Sequence, residues 1–110
     1  MSKTALEFIL NSIGKTVIPE YRFYPGRRFK FDYFIVISPG GIGVEYEGGV
    51  FTSGRHIRPT GFINDCSKYN LANSLNIPVL RYTVKHLTKP DQVLEEIKTT
   101  IENYQRRPVV

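Results

Sequence analysis

The sequence predicts an α/β domain, a mixed central sheet flanked by helices, in the order α-β-β-β-α-β-α. Three observations carry this prediction. Apolar residues recur at helical spacing near both ends of the chain. An aromatic and β-branched run over residues 29–37 is followed by Ser-Pro-Gly-Gly and a second strand-like segment. A short apolar strand then returns after an intervening helix, so it can lie parallel to its neighbour. The chain has 110 residues, which suits one domain, with residues 106–110 as the only candidate tail.

Each element has its own signal. Leu6, Ile9, Leu10 and Ile13 fall at i, i+3, i+4 and i+7, with Ser2 as N-cap and Gly14 as stop. Pro19 begins an extended stretch, Glu20 to Tyr24, which Pro25-Gly26 turns. In the strand Phe29–Ile37, alternation assigns Phe29, Phe31, Tyr33 and Ile35 to one face and Lys30, Asp32 and Phe34 to the other. The turn at 38–41 leads to Ile42–Glu47, with Ile42, Val44 and Tyr46 opposed to Glu45 and Glu47 in an antiparallel hairpin. Gly48 to Pro59 reads as a loop whose Gly48, Gly49 and Gly54 allow it to close on a ligand. A middle helix from Thr60 to about Leu75 carries the stripe Phe62, Cys66, Tyr69 and Ala72, and a strand spans Ile77–Thr83. Thr88, with Asp91 three residues on, starts a last helix that aligns Val93, Leu94, Ile97, Ile101 and Tyr104.

Composition narrows the function. Hydrophobic residues make up 41% and charged residues 23%, values of a folding chain and not of a disordered tail. No apolar run approaches the roughly 20 residues that span a bilayer, and the N-terminus lacks a signal-peptide pattern, so no membrane is expected and the cytoplasm is the expected compartment. The single Cys66 excludes an internal disulfide, disfavours a cysteine-built zinc site and is expected to be a buried thiol. The net charge of +5 is concentrated: residues 21–89 hold ten Lys/Arg against Asp32, Glu45, Glu47 and Asp65. Such a basic middle suits a polyanion, or is simply the surface of a basic soluble protein.

Three of those acids fall on strands. Asp32 lies mid-strand, where Asp is disfavoured without a partner, and pairing places it opposite Glu45. Glu45 and Glu47 share a face about 7 Å apart. A hard divalent ion suits two or three such carboxylates; equally, the acids can pair with Lys30 and Arg22. On the middle helix, helical rotation puts Asp65 inside the apolar stripe and Lys68 at its border. Lys68 either pairs with Asp65 or reaches toward the Asp32–Glu45 patch. Arg55, His56 and Arg58 follow the acidic strand directly, and His56 between arginines suits phosphate contact or leaving-group protonation. His86 is expected to be merely solvated, and no base-stacking aromatic pattern is visible.

Taken together, EYRFYPGRRFKFDYFI, GVEYEGG and SGRHIRPTGFINDCSKYNLANSLNIPVLRYT resemble the small phage and bacterial nucleases of the PD-(D/E)XK superfamily, over about Glu20 to Thr83. The resemblance implies a restriction-endonuclease-like α-β-β-β-α-β core and Mg²⁺- or Mn²⁺-dependent hydrolysis of phosphodiester bonds. It assigns Asp32, Glu45 and the backbone carbonyl of Tyr46 to the metal. Where the superfamily usually places its catalytic lysine this chain has Glu47, so Lys68 takes that role, while Glu47 either adds a second metal site or orients the attacking water, with Glu20 and Asp65 as supporting acids. Arg55, His56 and Arg58 would hold phosphate oxygens, and Arg22, Arg27, Arg28 and Lys30 would extend the DNA-binding surface. The implied enzyme is a structure-selective DNA endonuclease of a bacterial or phage-infected cell, acting on Holliday junctions, flaps or nicks. It would be a homodimer where two strands are cut, and no small-molecule cofactor is expected. The alternatives are a non-catalytic nucleic-acid-binding module with structural acids, and a regulator that binds another protein through its last helix.

Overall fold

A computed structural model describes residues 3–48 and 59–107. Its elements are α1 (Lys3–Asn11), β1 (Val17–Arg22), β2 (Lys30–Ile37), β3 (Gly40–Tyr46), α2 (Pro59–Ser74), β4 (Val79–Tyr82) and α3 (Pro90–Gln105). The four strands form one sheet in the order β1-β2-β3-β4, antiparallel except for the parallel β3–β4 pair. The expected α-β-β-β-α-β core with a C-terminal helix is therefore present. No helix among the described residues is long and apolar enough to cross a membrane.

Each face of the sheet carries its own apolar cluster. Leu6, Ile9 and Leu10 of α1 and Val93, Ile97 and Ile101 of α3 close over Tyr33, Ile35, Ile42 and Val44. On the other face Phe31 and Phe34 pack with Ala72 of α2, and Tyr21 and Phe23 stack on them at centroid distances of 4.2 Å. Two glycines make room for these rings. A Cβ on Gly43 would come within 2.8 Å of the Phe31 ring, and one on Gly41 would strike the Ile35 carbonyl.

The expected alternation of β2 breaks at Asp32. Phe31 does not share a face with Tyr33 and Ile35 but joins Phe34 on the α2 side. The cause is local hydrogen bonding. The Asp32 N–H donates to the Glu45 carboxylate, and the side-chain alternation changes there while the register with β1 is kept, Pro19 opposite Tyr33 and Tyr21 opposite Phe31. Opposite Asp32 on β1, Glu20 sits at φ 51, in the left-handed region that costs a non-glycine residue about 1–3 kcal/mol. β1 itself begins at Val17, so Pro19 lies inside the strand and does not begin it. Thr16 O accepts from Val36 N–H, so alternation turns the main chain of Pro19 outward, on the free edge where a missing N–H breaks no ladder.

The remaining corrections concern ends and faces. The hairpin turn is only Ser38–Pro39, which are joined by a cis peptide; Gly40 and Gly41 belong to β3. The first half of α2 stands clear of the sheet, so Phe62 (62% exposed), Asp65 and Cys66 face solvent and form no buried stripe. The thiol of Cys66 is thus exposed, contrary to expectation. α2 ends in a Schellman motif: Asn76 (φ 60) takes the left-handed position, Ile77 N–H bonds Ala72 O and Asn76 N–H bonds Asn73 O. α3 starts at Pro90, not Thr88. Thr88 is the last residue of a 3₁₀ turn and donates its hydroxyl to Lys85 O, leaving the expected capping box unformed. Gly49, Gly54, Arg55, His56 and Arg58 lie outside the described residues.

Gly43→Ala is expected to destabilise the fold by about 1–3 kcal/mol, because the added methyl collides with a fully buried ring. Urea denaturation measures this directly; an unchanged midpoint would show that Phe31 can move aside.

Candidate active site

The two strand acids meet where the β2–β3 ladder ends. Tyr33↔Val44 is the last backbone pair, and beyond it side chains take over. Asp32 N–H donates to Glu45 Oε2 at 2.8 Å, while Tyr46 N–H donates to Asp32 Oδ2 at 2.8 Å. Each carboxylate thus accepts an amide from the other's strand, which locks the pair together at the end of β3.

Glu45 is 6% exposed, the single buried charged residue among those described. A carboxylate removed from water in this way must be compensated by hydrogen bonds and charge. Lys68 Nζ and Tyr69 Oη (2.9 Å), from adjacent positions of α2, both donate to Glu45 Oε1. The Lys68 side chain is itself only 12% exposed, lying over the Phe31 and Tyr69 rings. Lys68 thus reaches the strand acids, and Asp65, its alternative partner, forms no ion pair with it.

Asp32, Glu20 and Glu47 have cations of other elements beside them. Asp32 Oδ1 lies 3.4 Å from Lys3 Nζ of α1, which also stands 3.5 Å from Glu20. Lys30 pairs with Glu20 at 3.3 Å and not with Asp32. Arg22 braces the turn by donating to the carbonyls of Arg27 and Pro25. Glu47 accepts from Arg81 Nε at 2.9 Å and from Tyr69 Oη at 3.4 Å, and Arg81 lies over the Tyr69 ring. Arg27 lies over the Phe29 ring, and Arg22, Arg27, Arg28 and Lys30 are all exposed. Glu20 is held below its usual pKa, chiefly by its hydrogen bond from Lys30. Burial lowers the pKa of Lys3, but the charges and hydrogen bonds of Asp32 and Glu20 together outweigh it and leave it above the ordinary lysine value.

Two carboxylates therefore converge, not three, and no group of three or more His, Cys, Asp or Glu side chains converges among the described residues. This donor set fits a hard divalent ion. Each carboxylate oxygen has two acceptor directions, so Asp32 Oδ1, Asp32 Oδ2 and Glu45 Oε2 each keep one beyond the bonds above. Mg²⁺ characteristically takes one or two carboxylates and keeps several waters. The main chain of Tyr46 lies beside the pair through its N–H.

Sequence reasoning missed Lys3, Tyr69 and Arg81 as members of this site. Lys3 is 29 residues from Asp32 and carries no local signal. Tyr69 reads as a core residue in the helical stripe, yet its hydroxyl bridges Glu45 and Glu47. Arg81 pairs with Glu45 in the parallel register, so it was recoverable only once that register was known.

Lys68→Met is expected to cost about 3–5 kcal/mol, since it strands the Glu45 charge in the interior, and Glu45→Gln in the same chain should recover most of the loss. Chemical denaturation of the single and double variants checks this. The Tyr69 phenol is held well above the ordinary tyrosine value by burial, then by the charge and hydrogen bond of Glu45; Tyr33 and Tyr82 are raised likewise, again by burial first. A raised acid contributes its stability below the unfolded value and loses it as pH rises. Stability should fall above about pH 10, and less steeply in Tyr69→Phe, as read from denaturation midpoints across that range. Searches against protein-family models, characterised proteins and solved structures return no match to this chain.

Proposed function

We propose that the protein is a metal-dependent endonuclease that hydrolyses phosphodiester bonds of DNA. The observation that carries this reading is the interlocked Asp32–Glu45 pair with the Lys68 ammonium against it, at one end of the sheet in a basic chain. Asp32 and Glu45, with the Tyr46 carbonyl, would hold Mg²⁺ or Mn²⁺. When bound, the ion supplies charge to polarise the scissile phosphate and to acidify an attacking water. Lys68 keeps a fixed positive charge beside the pair, where negative charge develops during phosphoryl transfer. Tyr69 stays neutral and holds Glu45 in place, and Glu47 orients Arg81. Lys3 of α1 steadies Asp32 and is itself shared with Glu20 of β1.

In this reading Arg55, His56 and Arg58 contact phosphate oxygens, with His56 protonating the leaving group. The exposed Arg22, Arg27, Arg28 and Lys30 give affinity that weakens with salt. In this reading selectivity follows the shape of branched, flapped or nicked DNA and not its base sequence. One site per chain means that cutting two strands calls for a homodimer. The cytoplasm of a bacterium or phage-infected cell is the matching compartment.

A second reading rests on a specific observation: Asp32, Glu45 and Glu47 each already have a cation beside them. On that reading the acids are structural and the chain binds nucleic acid without cutting it. Labelled branched and linear DNA incubated with Mg²⁺, Mn²⁺ or EDTA separates the two. Metal-dependent cleavage is expected, reduced at least roughly a hundredfold by Asp32→Asn or Glu45→Gln while binding is retained. Binding without cleavage under either metal would favour the second reading, and cleavage that survives both substitutions would remove the assigned site.

A further inference from the structure

A cavity of about 500 Å³ lies past the C-terminal end of β4, against the first turns of α3. Tyr82, which lines it, follows Arg81, so alternation sends the two side chains to opposite faces of the sheet. Glu47 N–H donates to Tyr82 O at 2.8 Å, and β3 and β4 are parallel, so the cavity opens at the same sheet end as Glu45 and Glu47. None of the residues that line it takes part in the chemistry proposed above.

The lining is rich in donors. Lys85 and Lys89 bring two positive charges against the single acid Glu96, whose Oε1 already accepts the Tyr82 hydroxyl at 2.9 Å. His86 Nδ1 accepts the Thr83 N–H at 2.9 Å, which leaves the ring proton on Nε2, a second kind of donor. The same imidazole stands edge-on to Tyr82 at 80° and 5.7 Å, so it is exposed yet pinned in orientation. Behind these groups, Tyr82 and Val93 belong to the buried core and form an apolar wall. The volume falls in the range of pockets for organic ligands, about 300–1,000 Å³, and a bare phosphate would leave most of it unfilled.

We propose that this cavity binds a nucleoside phosphate, the phosphate against Lys85 and Lys89 and the nucleoside against the His86 ring and the apolar wall. A free mononucleotide and one nucleotide unit of a DNA strand offer the same chemistry. Only the strand form rests on the hydrolysis reading, in which it would grip a splayed nucleotide close to the scissile phosphate.

The test needs no catalysis. The ¹⁵N-labelled full-length protein in EDTA is titrated with deoxyadenosine monophosphate, and separately with a short single-stranded oligonucleotide. Saturable shifts are expected at the amides of Thr83, His86 and Gln92. In Lys85→Gln/Lys89→Gln the affinity should fall about tenfold or more, while Lys98→Gln, elsewhere on α3, should change it little. Shifts with both probes assign the cavity to nucleotides in general; shifts with the oligonucleotide alone assign it to a strand. No shift with either probe overturns the proposal, as does equal weakening in Lys98→Gln, which would reflect net charge. Because the readout is binding without metal, its failure is distinct from a failure to cleave DNA.

Discussion

The buried carboxylate of Glu45 is the constraint on which the rest of this structure depends. Removing a carboxylate from water costs several kcal/mol unless donors replace the lost hydration. Here the donors come from three directions: the main chain of β2, an ammonium and a phenol of α2. The first half of α2 is largely exposed, and Ala72, in its second half, is the one fully buried side chain of the helix among the described residues. The helix is therefore held largely through polar groups, Lys68 and Tyr69 on Glu45 and the Tyr69 ring against Arg81. The same contacts seat the helix and build the candidate site.

Backbone geometry, more than side-chain pattern, brings the two acids together. The β2–β3 ladder stops one residue before Asp32, and the freed amides of Asp32 and Tyr46 turn to carboxylates. The change of alternation there places Phe31 over Gly43, where only a residue without a Cβ leaves room. Packing on the α2 face and the position of Asp32 are thus set by one local rearrangement. The parallel β3–β4 pair adds the second geometric fact, because it brings the acids and the Lys85–Lys89 cavity to one end of the sheet.

Much of this was legible in the residues. The spacing of Leu6, Ile9 and Leu10, and of Val93, Ile97 and Ile101, identified the helices that cover one face, because amphipathic periodicity is a local property. The hairpin placed Asp32 opposite Glu45, and the basic residue on the following helix did reach the acids. What was not legible depends on contacts distant in sequence. Lys3 lies in the first helix and pairs with a strand acid far along the chain. Cys66 and Phe62 have correct helical spacing for a buried stripe, yet the sheet does not extend beneath them. Period-two reasoning failed at Phe31 because a hydrogen bond to a side chain outweighed the regular ladder. Thr88 and Asp91 have capping-box spacing, but the Thr88 hydroxyl finds a nearer acceptor in Lys85 O.

The outer strand has a bearing on how copies of this chain can meet. An exposed strand edge normally invites another strand to add to it, a route to both orderly pairing and amyloid-like stacking. In β1 the outward position at Pro19 has no amide to offer, and the left-handed Glu20 beside it bends the backbone and adds charge. A neighbouring strand would find its hydrogen bonding interrupted at mid-length. The opposite edge, β4, is only four residues long. Among the described strands, growth of a continuous intermolecular sheet is therefore disfavoured at both borders.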